Sequence, residues 1–95
     1  MKIDAVAVSS SNLNKTIEFY SLLGFEFGEI SDGDQHIEPK TPEGTARLMI
    51  DTKELLTEIG GEEPKPSNHS PFAIHYDTPQ EVNLTVEKLL EAGFI

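Results

Sequence analysis

Three histidines and a single arginine are the side chains through which this chain could handle protons or ligands. His75 sits in the run Phe72-Ala73-Ile74-His75-Tyr76-Asp77. Strand alternation there would put His75 with Ala73 and Asp77 on one side, opposite Phe72, Ile74 and Tyr76. An imidazole in that setting can hydrogen-bond a ligand or accept a proton. It can equally be a histidine on a half-solvated sheet face, bonded to a neighbouring strand. Arg47 alternates with Leu48 and Ile50, and so shares its face with Met49 and Asp51. Its planar fork suits either an anionic ligand or a carboxylate across the sheet. His36 and Glu38 also share a face, two residues apart. They lie between an Asp32-Gly33-Asp34 turn and Pro39, which predicts a solvated pair on an edge strand rather than metal ligands. His69, within Asn68-His69-Ser70, reads as surface.

Other chemistries find no support. Asp32-Gly33-Asp34 lacks the remaining oxygen ligands of a calcium loop. There is no Gly-x-Ser-x-Gly elbow and no phosphate-cradling glycine loop. Gly60-Gly61 is followed by Glu62-Glu63, which would repel a phosphate. The chain has no cysteine, so disulfides, thiolate zinc sites and thiol nucleophiles are excluded. Seventeen acidic residues against seven basic ones give a formal charge of −10. Nucleic acids and anionic membranes require the opposite balance. No apolar run approaches membrane-spanning length, and Met1-Lys2-Ile3-Asp4 has no signal-peptide character, so a cytoplasmic location is expected.

The elements that must position these residues follow from periodicity and punctuation. Ile3–Val8 alternates and is rich in β-formers, which predicts a strand. Asn12 can cap a helix over Leu13–Leu23 whose Leu13, Ile17, Tyr20 and Leu23 share a face, and Gly24 ends it. On this spacing Tyr20 belongs to the core or an interface, not to an aromatic ligand site with Phe19. Strands are expected at Phe25–Ile30, Gln35–Glu38 and Ala46–Asp51. A short helix is expected over Thr52–Ile59, with Asp51 and Glu54 at capping-box spacing. Gly60–Ser70 reads as an exposed linker. A strand at Phe72–Tyr76 is followed by Thr78 as N-cap, Pro79 at the first helical position and Glu81 completing the box. That helix runs to about Ala92, with Val82, Val86, Leu89 and Leu90 expected to face inward.

The two halves repeat one plan. Strand, polar cap and amphipathic helix lead to Leu22-Leu23-Gly24-Phe25 in the first and to Leu89-Leu90-Glu91-Ala92-Gly93-Phe94 in the second. Asn12-Leu13-Asn14-Lys15-Thr16-Ile17-Glu18-Phe19-Tyr20, with Leu23-Gly24-Phe25, resembles the opening of the vicinal oxygen chelate superfamily. That superfamily comprises glyoxalase I, bleomycin-resistance proteins and extradiol dioxygenases. Phe72–Asp77 through Glu81-Val82 to Ala92-Gly93 resembles its second module. The likeness is greatest to the glyoxalase/bleomycin-resistance-like group. It implies an α+β fold of tandem β-α-β-β-β modules forming a cupped mixed sheet, the second module truncated after its helix. The whole chain would be one domain: module one at about 1–52, a linker at about 53–70 and a partial module two at about 71–95.

Catalytic members of that superfamily bind a divalent metal with His and Glu from facing strands. By resemblance those positions fall at Ala5, at Met49, and at Pro71 or Ala73, none of which can ligate it. The resemblance therefore implies no metal and no cofactor. The expected function is metal-independent binding of a small molecule in a cup lined by Ala5, Ala7, Arg47, Met49, Asp51, Ala73 and His75, with Ser9 also on that face. The alternatives are a metal-dependent lyase or dioxygenase, and a fragment without activity of its own. Missing strands would leave apolar surface uncovered, so a homodimer or strand-sharing oligomer is expected.

Overall fold

A computed structural model describes residues 1–61 and 72–95. The chain divides between Pro64 and Lys65 into two compact units. The first contains β1 (Ala5–Ser10), α1 (Leu13–Leu23), β2 (His36–Ile37), β3 (Arg47–Thr52) and α2 (Lys53–Gly60). The second contains α3 (Pro79–Glu91).

The sheet of the first unit has the order β1-β3-β2. β1 runs parallel to β3, with Ala5 opposite Arg47, Ala7 opposite Met49 and Ser9 opposite Asp51. β2 is antiparallel to β3, with His36 opposite Asp51 and Ile37 opposite Ile50. This register separates two faces. One gathers Leu48, Ile50 and Ile37, which with Tyr20 of α1 form the buried core; Ile50 is fully buried. Val6, Val8, Leu13, Ile17, Leu23, Phe25, Phe27 and Ile30 pack against that core. Tyr20 and Phe25 meet edge to face at 5.7 Å between ring centres, a favourable aromatic geometry.

Local chemistry explains the boundaries. The Asn12 side chain accepts a hydrogen bond from the Lys15 N–H at 3.2 Å and opens α1. Gly24 closes it at φ 111°, a conformation that favours glycine. Ser10 is buried at the end of β1, where its hydroxyl meets that of Thr16 at 2.6 Å.

Four expectations need correction. β1 begins two residues later than Ile3, because β3 offers its first partner at Arg47, opposite Ala5. The run Phe25–Ile30 contributes one isolated bridge, Glu26 to Lys40, rather than a strand. Pro39, next to that bridge, has no N–H to continue a ladder. α2 is capped by Thr52, whose hydroxyl accepts from the Leu55 N–H at 3.2 Å, and not by Asp51. Asp51 is instead directed at His36.

The fourth correction concerns the second unit. Residues 72–77 form no strand. Alternation suits a segment to a sheet without supplying its neighbour, and the described part of that unit otherwise holds only α3. The helix itself is as expected: the Thr78 hydroxyl accepts from the Glu81 N–H at 3.2 Å, and Pro79 occupies the first turn. Of the four residues expected to face inward, Val82, Val86, Leu89 and Leu90, only Leu89 is buried. Val82, Val86 and Leu90, spaced four apart, are 44%, 40% and 55% exposed and line one stripe of the helix. Residues 62–71, which include most of the expected linker, His69 and Pro71, lie outside the described residues.

Candidate functional site

The face of the sheet opposite the core carries the candidate site. Alternation and register place Ala5, Ala7 and Ser9 of β1 beside Arg47, Met49 and Asp51 of β3. Five of the seven anticipated cup residues are thereby brought together: Ala5, Ala7, Arg47, Met49 and Asp51. Ala73 and His75 belong to the second unit, in the segment that forms no strand. There His75 borders an open groove of about 460 Å³ with Tyr76, Asp77, Thr78, Pro79, Val82 and Asn83.

The same face carries a chain of charges. His36 Nδ1 lies 2.5 Å from Asp51 Oδ1, and its Nε2 lies 3.0 Å from Glu38 Oε2. Arg47 donates from Nη1 to Glu38 Oε1 at 3.1 Å and to Oε2 at 3.4 Å, and from Nη2 to Asp4 Oδ2 at 2.9 Å. Asp51 is buried, and His36, directly opposite it in the ladder, supplies its partner. Among the described residues no buried side-chain nitrogen or oxygen lacks a partner.

These contacts set the protonation states. The bonds to Glu38 and then Asp51 hold His36 above its ordinary value of 6.5. The bond from His36 holds the Glu38 carboxyl below its ordinary value. Arg47 is pushed higher still by Asp4 and then Glu38. Only the imidazolium can donate from both ring nitrogens, so an arrangement with a carboxylate on each side is that of a protonated His36.

The network answers the question that Arg47 posed: it pairs with carboxylates. It also brings in His36 and Glu38, which sequence reasoning treated as a solvated pair. The available signal was the period-two spacing of His36 and Glu38. Their partner on β3 could be named only once the register was known.

The residues do not fit the metal site of the family's catalytic members. Ala5 has no ligating side-chain atom, the soft Met49 thioether does not suit a divalent site built from His and Glu, and the nearest imidazole commits both nitrogens to carboxylates. Among the described residues no three histidine, aspartate or glutamate side chains converge to hold a metal ion. A second concavity of about 410 Å³ lies where β1 meets α1, lined in part by Asn12, Asp34 and Thr52. Three of its polar side chains serve the backbone: Asn12 caps α1, Asp34 accepts from the Ser31 N–H and Thr52 caps α2.

The fold agrees with comparisons to known proteins. A sequence model of the Glyoxalase/Bleomycin resistance protein/Dioxygenase superfamily matches residues 2–95. No curated protein matches the chain. Among solved structures, a hypothetical protein from S. aureus is similar with a TM-score of 0.75 and 19% identity, over 98% of this chain and 70% of that one. A glyoxalase/bleomycin resistance protein/dioxygenase from Nocardioides is similar with a TM-score of 0.65 and 21% identity, over 98% of this chain and 62% of that one. At these identities the likeness is one of fold. No described helix is long and apolar enough to cross a membrane. With the family's model covering nearly every residue, and the β1-β3-β2 sheet matching proteins of that fold, the chain belongs to the Glyoxalase/Bleomycin resistance protein/Dioxygenase superfamily.

Proposed function

We propose that this chain is a metal-independent, small-molecule-binding protein of the bleomycin-resistance-like type, acting in the cytoplasm. The observation that carries this reading is the composition of the open sheet face. Ala5 and Met49 stand where the family's metal enzymes would place ligands. Ala5 and Ala7 leave room, and the half-buried Met49 offers an adaptable apolar contact. The charged network borders this apolar strip and orients polar groups beside it.

The chain also acts as a homodimer or strand-sharing oligomer in this reading. The exposed Val82, Val86 and Leu90 stripe supports it, since apolar area of that kind is usually covered.

Two measurements test the proposal. Metal analysis of the purified protein should find no stoichiometric divalent ion. Amide NMR titration with benzoate should shift Ala5, Ala7 and Met49. Tightly bound metal at one equivalent would sink the metal-independent reading in favour of a lyase or dioxygenase. No response on that face would remove the ligand cup.

A further inference from the structure

His36 and Arg47 converge on one point, and a side chain of the protein itself fills it. The Glu38 carboxylate receives His36 Nε2 at 3.0 Å and Arg47 Nη1 at 3.1 and 3.4 Å. Each cation is steadied from behind by a second carboxylate. Asp51 holds the far nitrogen of His36, and Asp4 holds Nη2 of Arg47. Remove the Glu38 side chain and two positive donors remain, oriented, with nothing between them.

We propose that His36 and Arg47 form an anion subsite that Glu38 occupies in the resting chain, and that a carboxylate-bearing small molecule takes it by displacing Glu38. This deepens the proposed function and rests on it, since the ligand's apolar body would lie along Ala5, Ala7 and Met49. Exchange of one carboxylate for another leaves the charge of the site unchanged. It requires only a side-chain rotation of Glu38, whose side chain is 30% exposed. It requires no break in the β2–β3 ladder, which ends at Ile37. The charged groups facing His36 and Arg47 in this unit are Glu38, beyond β2, Asp51 on β3 and Asp4, ahead of β1. Ligand binding should therefore need His36 protonated and weaken as pH rises through its titration.

The intramolecular carboxylate has a high effective concentration, so the unaltered chain should bind simple carboxylates weakly. The test uses acetate, followed by NMR of the His36 ring, with Glu38→Ala and Glu38→Gln variants. Both variants should bind acetate saturably and at least about tenfold more tightly than the unaltered chain, a difference of about 1.4 kcal/mol. Adding Arg47→Gln to Glu38→Ala should abolish that binding. If acetate acts on the variants no differently from chloride, or if the double variant binds as well as the single one, the proposal is wrong. Acetate has no apolar body, so it reads the two donors alone. Saturable acetate binding without a benzoate response at Ala5, Ala7 and Met49 keeps the subsite and removes the ligand cup. The reverse result keeps the cup and removes the subsite.

Discussion

The two units start from the same local instructions and reach different ends. In the first, a capped helix delivers its apolar stripe onto a sheet, and Tyr20, Ile37, Leu48 and Ile50 close over one another. In the second, an equally well-capped helix buries Leu89 and leaves Val82, Val86 and Leu90 in view. Caps and amphipathic spacing make helices in both places. What separates the units is a partner: β1 finds β3 far along the chain, whereas residues 72–77 form no strand. Local signals write the elements, and non-local pairing decides which apolar faces become core.

The comparison can be broken by unequal responses to matched substitutions. The largest effect is expected from Ile50→Ala. A fully buried isoleucine at the centre of the first unit should cost about 2–5 kcal/mol on truncation. Denaturant unfolding would check this, and a cost as small as that of a surface change would mean the first unit's core is not a core.

A pH effect comes next. His36 is raised above 6.5, so its contribution to stability is complete below that value and fades as pH climbs through the higher folded value. Glu38 is lowered from 4.5, so its contribution is complete above that value and fades as pH falls through the lower folded value. The stability gap between the unaltered chain and His36→Gln should therefore be widest between pH 4.5 and 6.5. A gap that does not vary with pH would show that the network exerts no charge-dependent hold on β2.

Thr78→Ala should cost about 1 kcal/mol of helix stability in the second unit. Faster amide exchange at Glu81 should report it, with the first unit unaffected; unchanged exchange at Glu81 would mean the cap is idle. Smallest of all, Val86→Lys should change unfolding of the monomer by no more than about 0.5 kcal/mol, since the side chain is already exposed. The same change should dissociate the proposed dimer in sedimentation. A large loss of monomer stability would place Val86 inside a core after all.

Much of the first unit could be read directly from residue order. Asn12 and Gly24 bracket α1 where punctuation rules place them, and Arg47-Leu48-Met49-Ile50 alternates as a half-buried strand must. That Ala5 and Ala7 share one face of their strand, and Arg47, Met49 and Asp51 one face of theirs, was legible, because period-two spacing survives any choice of partner. The bonds His36 makes to Asp51 and Glu38 were not legible. They depend on which residue of β2 stands opposite which residue of β3, and a two-residue strand beside Pro39 carries too little pattern to fix that. The strand expected at Phe72–Tyr76 failed for a related reason. Alternation describes a segment's suitability for a sheet and cannot supply the neighbour.

The parallel pairing of β1 with β3 has a consequence for synthesis. As the polypeptide leaves the ribosome, Ala5–Ser10 emerges first, yet the strand it must join lies at Arg47–Thr52. The helix between them can wind early, but the sheet cannot begin to assemble until that distant stretch is out of the exit tunnel. Until then a nascent β-forming segment waits unpaired, which makes this interval the point at which a chaperone or a slow codon would matter most to yield.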